Sequence, residues 1–439
     1  MIQLRSNGPV LSNPNAIYDL IIVGAGAAGL MAATSAASRG LKVLLLEKNK
    51  KLGVKILISG GTRCNITHNC SVREVVKRFG KCGNFLHSPL HALPPEAVIE
   101  KIEAEGVATK VEHTGKIFPV SDRAIDVRDA LVSMARNAGA EIISACAVET
   151  ITKEDDNFSV AASSNQFQSK NLLITTGGLS YPGCGTTGDG YAWAKQFGHT
   201  ITPTVPALVP LLNNCSWAND LKGITIENAG IGVWQPSAVA AEGEKTRKNK
   251  PLAKATGSFL FTHFGFSGPT ALDVSRAVAL HPDRKTLTLH VDFLPECKPN
   301  RLHDMLDEKR RVNGKQITGN LLNEMFPKRL AESLLSAAGV SLEAKNAELS
   351  NTSLAAICQQ IKNTPFALNG TLGFEKAEVT AGGVSLDEVD SSTMQSKLHD
   401  RLYFAGEVLD LDGPIGGFNF QSAFSTGWLA GQSVVAVRD

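Results

Sequence analysis

Residues 18–47 read YDLIIVGAGAAGLMAATSAASRGLKVLLLE. The apolar run 18–23 has strand length, 24–29 break it, 30–39 are alanine-rich with helical spacing and stop at Gly40, and 42–47 form a second apolar run of strand length. The break is Gly24-Ala25-Gly26-Ala27-Ala28-Gly29, a GxGxxG between a strand and a helix, and Glu47 follows Gly29 by eighteen residues at the end of the second strand. Each position has a physical task. Gly24 permits the tight turn, Gly26 lets the backbone approach a pyrophosphate, and Gly29 allows close packing of helix on sheet. The helix opening at Ala27 and Ala28 turns unpaired amides toward negative charge. Glu47 would accept a hydrogen bond from an adenosine ribose hydroxyl. A GxGxxG alone is a weak signal; strand, helix and acid in the required order make it a dinucleotide-binding βαβ unit.

NAD and FAD share the adenosine diphosphate half that such a unit grips, so other segments must separate them. Thr175-Thr176-Gly177-Gly178 closes an apolar strand over 171–175, and Ala405-Gly406-Glu407 closes another near 402–404. In a parallel sheet both glycine turns would emerge beside the first loop. Read singly, either is an ordinary turn. After the second comes Asp412-Gly413-Pro414-Ile415-Gly416-Gly417-Phe418-Asn419-Phe420-Gln421, leading into a helix expected to run to about residue 430. Its first amides would face the pyrimidine edge of a flavin and stabilise the reduced anion. The cofactor expected is FAD.

The rest of the chain sets limits. At 439 residues it exceeds the usual size of one core, so two or three domains are expected. A formal charge of +2 gives no electrostatic footprint for nucleic acid. The stretch 1–16 is polar, carries Pro9 and Pro14, and lacks a signal-peptide core. No apolar run approaches the roughly 18 residues that span a bilayer. The expectation is a soluble, cytoplasmic protein with a small-molecule substrate and neither nucleic-acid nor membrane partners. Eight cysteines without a CxxC pair suit free thiols rather than a disulfide framework. Helix is expected over 123–138 and strand over 141–151. From about Pro203 the texture changes to prolines and alternating strands such as 224–233 and 258–262, then to helical spacing between 302 and 362, as in 328–338 and 353–361. The charge run 242–250 reads as a solvated loop.

Four segments, LISGGTRCNIT (57–67), TTGGLSYPGCGTTGDGYAWAKQFGH (175–199), FTHFGFSGP (261–269) and FAGEVLDLDGPIGGFNFQSAFSTGWLAG (404–431), resemble the HI0933-like flavoproteins. Members of that family are described as NAD(P)/FAD-dependent oxidoreductases, as aminoacetone oxidase-like enzymes or as flavoproteins of bile-acid metabolism. The likeness runs from Asp19 to Gly431. It implies an α/β fold in which a Rossmann-type FAD-binding domain is interrupted by a β-barrel-like domain carrying a small helical subdomain. The boundaries expected are 17–201 and 371–439 for the FAD domain, 202–300 and 346–370 for the barrel, and 301–345 for the helical insert. The resemblance also extends the cofactor site from Gly24, Gly26, Ala27, Ala28, Gly29 and Glu47 to Lys48, Lys55, Ser59, Gly61, Arg63, Cys64, Asn65, Val148, Thr176, Gly177, Gly178, Gly406, Glu407, Gly417, Phe418 and Asn419. Arg63 would offer a planar donor fork to phosphate or carboxylate. The family often has three glycines before this arginine; here Thr62 stands third, which argues against a positive φ at that position.

Gly183-Cys184-Gly185-Thr186-Thr187-Gly188 spells a second GxGxxG, but it begins several residues after its strand, follows Pro182 and has no acid near position 208, so it reads as a loop over the flavin side of the pocket. Cys64, His68, Cys70, Cys82, His87 and His91 match no zinc or iron–sulfur spacing, and no metal is expected. Cys64 is read either as an inert buried thiol or as a redox partner of the flavin. His263, Tyr181 and Asp189 are candidates for proton transfer, each with a plain packing role as the alternative. The activity expected is hydride transfer between flavin N5 and a small organic substrate. Either NAD(P)H is a transient electron donor to an enone-like acceptor, or oxygen reoxidises an amine oxidase. The alternative of another class is a non-catalytic FAD-binding redox sensor or RNA-linked flavoprotein.

Overall fold

The computed structural model describes residues 17–154, 156–236 and 250–436. The tail 1–16 and nearly all of the charge run 242–250 lie outside the described residues. Two compact units divide at Val205/Pro206 and Ala377/Glu378.

The first unit is built on β1 (Ile17–Val23), α1 (Ala27–Ala37) and β2 (Val43–Leu46). Every residue of α1 and β2 is buried, as expected where helices cover both faces of a parallel sheet. Strand Asn165–Ile174 pairs parallel with β1, strand Leu402–Phe404 pairs parallel with Asn165–Ile174, and Glu141–Ile143 pairs parallel with β2. The register sets Val23 opposite Leu46 and Ile174, and Ile174 opposite Phe404. Gly24, Glu47, Thr175 and Ala405 therefore leave the sheet at one edge. Strands Val148–Glu154 and Asn157–Ala162 complete the seven-stranded sheet as an antiparallel meander into Asn165–Ile174.

The stretch 141–151, expected as one strand, is two. Ala145 adopts φ +54°, and the turn hands its N–H to Asn49 O (2.9 Å) and that of Cys146 to Glu47 O (2.9 Å). Backbone pairing to the segment after β2 thus overrides the local strand preference.

Helix Phe418–Ser433 crosses α1 at backbone contact. A Cβ on Gly427 would overlap Ala28 O and one on Gly431 would overlap Ala32 O, and Ser35 Oγ donates to Trp428 O across the crossing (2.9 Å). Glycine is needed there because the helices touch through their main chains.

The second unit, Pro206–Ala377, holds a closed six-stranded antiparallel barrel. Its strands run in the order Leu211–Asn213, Gly265–Ser267, Ala253–Phe261, Thr225–Trp234, Thr288–Asp292 and Thr364–Thr371. Phe259, Phe261, Phe266 and Phe366 fill the interior with tilted and edge-on ring contacts. Helices Pro299–Val312, Lys328–Ala337 and Asn351–Asn363 add Leu302, Leu306, Leu330, Leu334 and Ile357 to the same core. Among the described residues, no helix is long and apolar enough to cross a membrane.

Candidate active site

The glycines of 24–29 divide into two that packing demands and one that it does not. Gly24 has φ +105°, and a Cβ on it would stand 2.7 Å from Thr175 O. A Cβ on Gly29 would overlap Gly24 O and come within 2.8 Å of Thr175 Oγ1. Gly26 caps α1, and nothing lies within 4 Å of where its Cβ would be. The protein's own packing therefore does not require glycine at 26, whereas close approach of a pyrophosphate to the first-turn amides of α1 does. Glu47 is 8% exposed; its Oε2 accepts from Ala25 N (2.8 Å) and its Oε1 from Asn49 N and Nδ2 (2.9 Å each). A carboxylate has about four acceptor positions, so one remains for a ribose hydroxyl. The cradle fits the adenosine diphosphate half of FAD.

Gly183–Gly188 is tied to the residues that follow this acid. Asn49 Nδ2 donates to Cys184 O (3.0 Å), and Lys48 Nζ reaches Thr187 Oγ1 and Asp189 Oδ2 at 2.6 Å each. The loop is held by Lys48 and Asn49, the two residues that follow Glu47, and by Thr186 Oγ1, which donates to Tyr181 O (3.1 Å). Asp189 is thereby an ion-pair partner of Lys48.

Lys55, Ser180, Thr380 and Glu407 form a second cluster at the same sheet edge. Lys55 Nζ donates to Ser180 Oγ and to Glu407 Oε2 (2.6 Å each), while Glu407 Oε1 accepts from Ser180 Oγ (2.7 Å) and Thr380 N (3.0 Å). Thr380 Oγ1 accepts from Leu179 N (2.8 Å) and Ser180 N (3.0 Å). A Cβ on Gly178 would come within 2.6 Å of Thr380 Cβ, which is why this turn carries glycine. Ser180, Thr380 and Asn49 escaped the sequence reading; the Gly382-Gly383 turn after strand Val379–Ala381 was the available signal for Thr380.

In the 57–67 loop, Ser59 leaves the helix at ψ 150° and Gly60, Gly61 and Thr62 all take positive φ (53°, 68° and 69°). Thr62 thus adopts the conformation its side chain disfavours, because the turn is fixed on both sides: Cys64 N donates to Ser59 O (3.1 Å), and Asn65 is anchored next to it. Strain at such a residue is about 1–3 kcal/mol, against about 0.5–1 kcal/mol for the extra freedom of an unfolded glycine. Thr62→Gly is expected to stabilise the fold by about 1 kcal/mol, read as a higher urea midpoint at unchanged slope; a lower midpoint would show the turn to be unstrained.

Arg63 commits one of its two terminal nitrogens to acidic neighbours. Its Nη1 donates to Glu112 Oε1 (2.8 Å) and Asp122 Oδ1 (3.2 Å), and its guanidinium lies 4.0 Å over the Phe118 ring. Cys64 is fully buried, and burial pushes its thiol up to about 12 against the opposing effect of a hydrogen bond with Ser59, so it stays protonated at neutral pH. Asn65, its amide oriented by its neighbours, donates to Thr67 O (3.0 Å) and Ile117 O (3.2 Å) and accepts from Gly417 N (2.9 Å).

That last bond fixes the start of helix Phe418–Ser433. Gly417 has φ +91° and lies so close to Thr67 that a Cβ would stand 2.6 Å from its carbonyl carbon. Asn419 folds back, accepting from Gly413 N (2.8 Å) and donating to Gly413 O (2.9 Å). Gln421 is wholly buried, accepting from Thr67 Oγ1 (2.6 Å) and donating to Leu93 O (2.9 Å). These side chains are spent on the protein, so what the helix start would offer a flavin is its first-turn N–H groups. Phe418 stacks on His68 at 4.8 Å.

Val148 opens the meander strand two residues after Cys146, whose N–H is bound to Glu47 O. Tyr181, at φ +52°, is partly exposed, and burial raises its phenol above the ordinary value. His263 belongs to the barrel unit, its ring 4.9 Å from that of Phe264. Among the described residues no disulfide joins any of the eight cysteines.

Residues 18–433 match the family model described as the HI0933-like protein Rossmann domain. The chain belongs to the HI0933-like family. It is therefore an FAD-dependent oxidoreductase of the Rossmann type with a closed six-stranded barrel. This HI0933-like protein is 33% identical over 422 residues to the ribosomal RNA dihydrouridine synthase of Escherichia coli (strain K12), covering 96% of this chain and 99% of that one. It is 32% identical to the ribosomal RNA dihydrouridine synthase of Haemophilus influenzae (94% and 98% covered). It is equally 32% identical to the 3-dehydro-bile acid delta(4,6)-reductase of Clostridium scindens (94% and 98% covered).

Proposed function

We propose that this oxidoreductase reduces a carbon–carbon double bond conjugated with a carbonyl, with NAD(P)H as its transient electron donor. The observation that carries the reading is that relatives of near-equal likeness, matched over nearly their whole length, have names sharing one acceptor chemistry. Dihydrouridine is uridine with a saturated ring double bond that had been conjugated with a carbonyl, and a 3-oxo steroid with double bonds at 4 and 6 is a conjugated dienone. The expectation of a small acceptor without nucleic acid, drawn from the near-neutral charge, thus widens to include a uracil ring within RNA. Bound FAD would supply a hydride equivalent for the far carbon of such a system. The chain would supply the surroundings of the charge that then builds on the carbonyl side. Lys55 is a fixed ammonium, the start of helix Phe418–Ser433 presents oriented N–H groups, and Cys64 and Tyr181 stay neutral.

Anaerobic addition of NADPH or NADH is expected to bleach the flavin absorbance, and a conjugated acceptor to restore it. Ribosomal RNA lacking dihydrouridine and a 3-oxo-4,6-diene steroid are the two acceptors to compare; the one that restores absorbance names the substrate class. A flavin that nicotinamide leaves oxidised, but that an amine reduces and oxygen reoxidises with release of peroxide, would replace this reading with the amine oxidase.

A further inference from the structure

Lys55, Ser180 and Glu407 come from three segments that each touch the glycine cradle. Lys55 follows Gly53, whose N–H donates to Ala25 O (3.0 Å). Ser180 follows the turn against which Gly24 rests, and Glu407 follows Gly406, where a Cβ would stand 2.8 Å from Ala28 Cβ. Ser180 is wholly buried, while the Lys55 and Glu407 side chains are 25% and 20% exposed. Both carboxylate oxygens are met, and the ammonium commits two of its three N–H bonds inside the cluster. Pairing charges this far out of water is weak evidence of a stabilising role, because desolvation offsets much of the attraction. What the arrangement does create is a fixed local field beside the cradle.

We propose that Lys55, positioned by Ser180 and Glu407, raises the reduction potential of the bound flavin by offsetting the negative charge gained on reduction. The inference rests on FAD lying along this edge. Uptake of two electrons and one proton, the electrons coming from a nicotinamide or dithionite donor, adds one negative charge to the bound cofactor. A nearby cation favours that state and a nearby anion opposes it. Lys55 and Glu407 therefore act on the potential in opposite directions although they are halves of one ion pair.

The test is an anaerobic redox titration of the FAD-loaded wild type and of Lys55→Met, Lys55→Arg, Glu407→Gln and Ser180→Ala against a reference dye. FAD affinity and urea midpoint are measured alongside. Lys55→Met is expected to lower the reduced-to-oxidised ratio at fixed potential at least tenfold, about 30 mV for a two-electron couple. Glu407→Gln is expected to raise it by a similar factor. Lys55→Arg should keep the wild-type potential and Ser180→Ala should move it less than either neutralisation. A pair that only holds the fold would lower the urea midpoint in both neutralised variants without moving their potentials apart, and that result overturns the proposal. If Lys55→Met does not fold, Glu407→Gln with an unshifted or lowered potential overturns it equally. A wild type that binds no FAD defeats the cofactor placement itself; FAD bound tightly with potentials that do not diverge defeats this inference alone.

Discussion

Gly26→Val is expected to yield a folded protein that retains no FAD. The backbone at 26 is extended (φ −81°, ψ −169°), a conformation open to any residue, and no protein atom lies within 4 Å of the added Cβ. The cost to the fold should stay within about 1 kcal/mol. The same open space is the approach to the first-turn amides of α1, and a branched side chain there holds a pyrophosphate off the N–H groups that would bind it. A loss of at least about 100-fold in FAD affinity, roughly 2.7 kcal/mol, is expected. The flavin-to-protein absorbance ratio after purification, then an FAD titration of the apoprotein, reads it directly. Full flavin occupancy in a folded variant would mean that the pyrophosphate does not lie over this turn.

Three residues on, Gly29→Ala is expected to fail for the opposite reason, with the fold lost before the cofactor matters. The methyl would overlap Gly24 O, and Gly24 cannot retreat because its own backbone is lodged against Thr175. Nor can α1 back away, since its other side meets helix Phe418–Ser433 through Gly427 and Gly431. Overpacking with no slack costs about 3 kcal/mol or more, a large share of the roughly 5–15 kcal/mol that holds a typical protein folded. Soluble yield should fall sharply, and any soluble protein should show a much lower urea midpoint. A wild-type midpoint would show that helix and sheet are farther apart than this close approach requires. Together the two variants separate a glycine kept for a ligand from one kept for packing, within a single six-residue motif.

The β1–α1–β2 unit was legible because all its determinants are local: an apolar run, a break at fixed glycine spacing, an alanine-rich helix, and an acid at the second strand's end. The turns at Thr175–Gly178 and Ala405–Glu407 were legible for a related reason. Parallel strands in register must deliver their carboxyl ends to one edge, so two glycine turns after apolar runs could be placed beside the first without knowing what lay between them. The left-handed turn at Thr62 was misjudged from residue type, since a β-branched side chain argues against positive φ unless neighbours fix the backbone.

The sequence by itself thus determined the class of fold and the membership of an FAD-dependent family, both of which rest on short-range pattern and motif. Tertiary structure alone decided which side chains are committed to the protein. Arg63 Nη1 is taken up by Glu112 and Asp122, Gln421 by Thr67 and Leu93, and the 183–188 loop by Lys48 and Asn49. Lys55 meets Ser180 and Glu407 across separations of 125 and 352 residues. The physical reason is that a hydrogen bond depends on a few ångströms of position, and position across such separations is set by the register of the sheet and by where the chain returns to it, which no local pattern encodes.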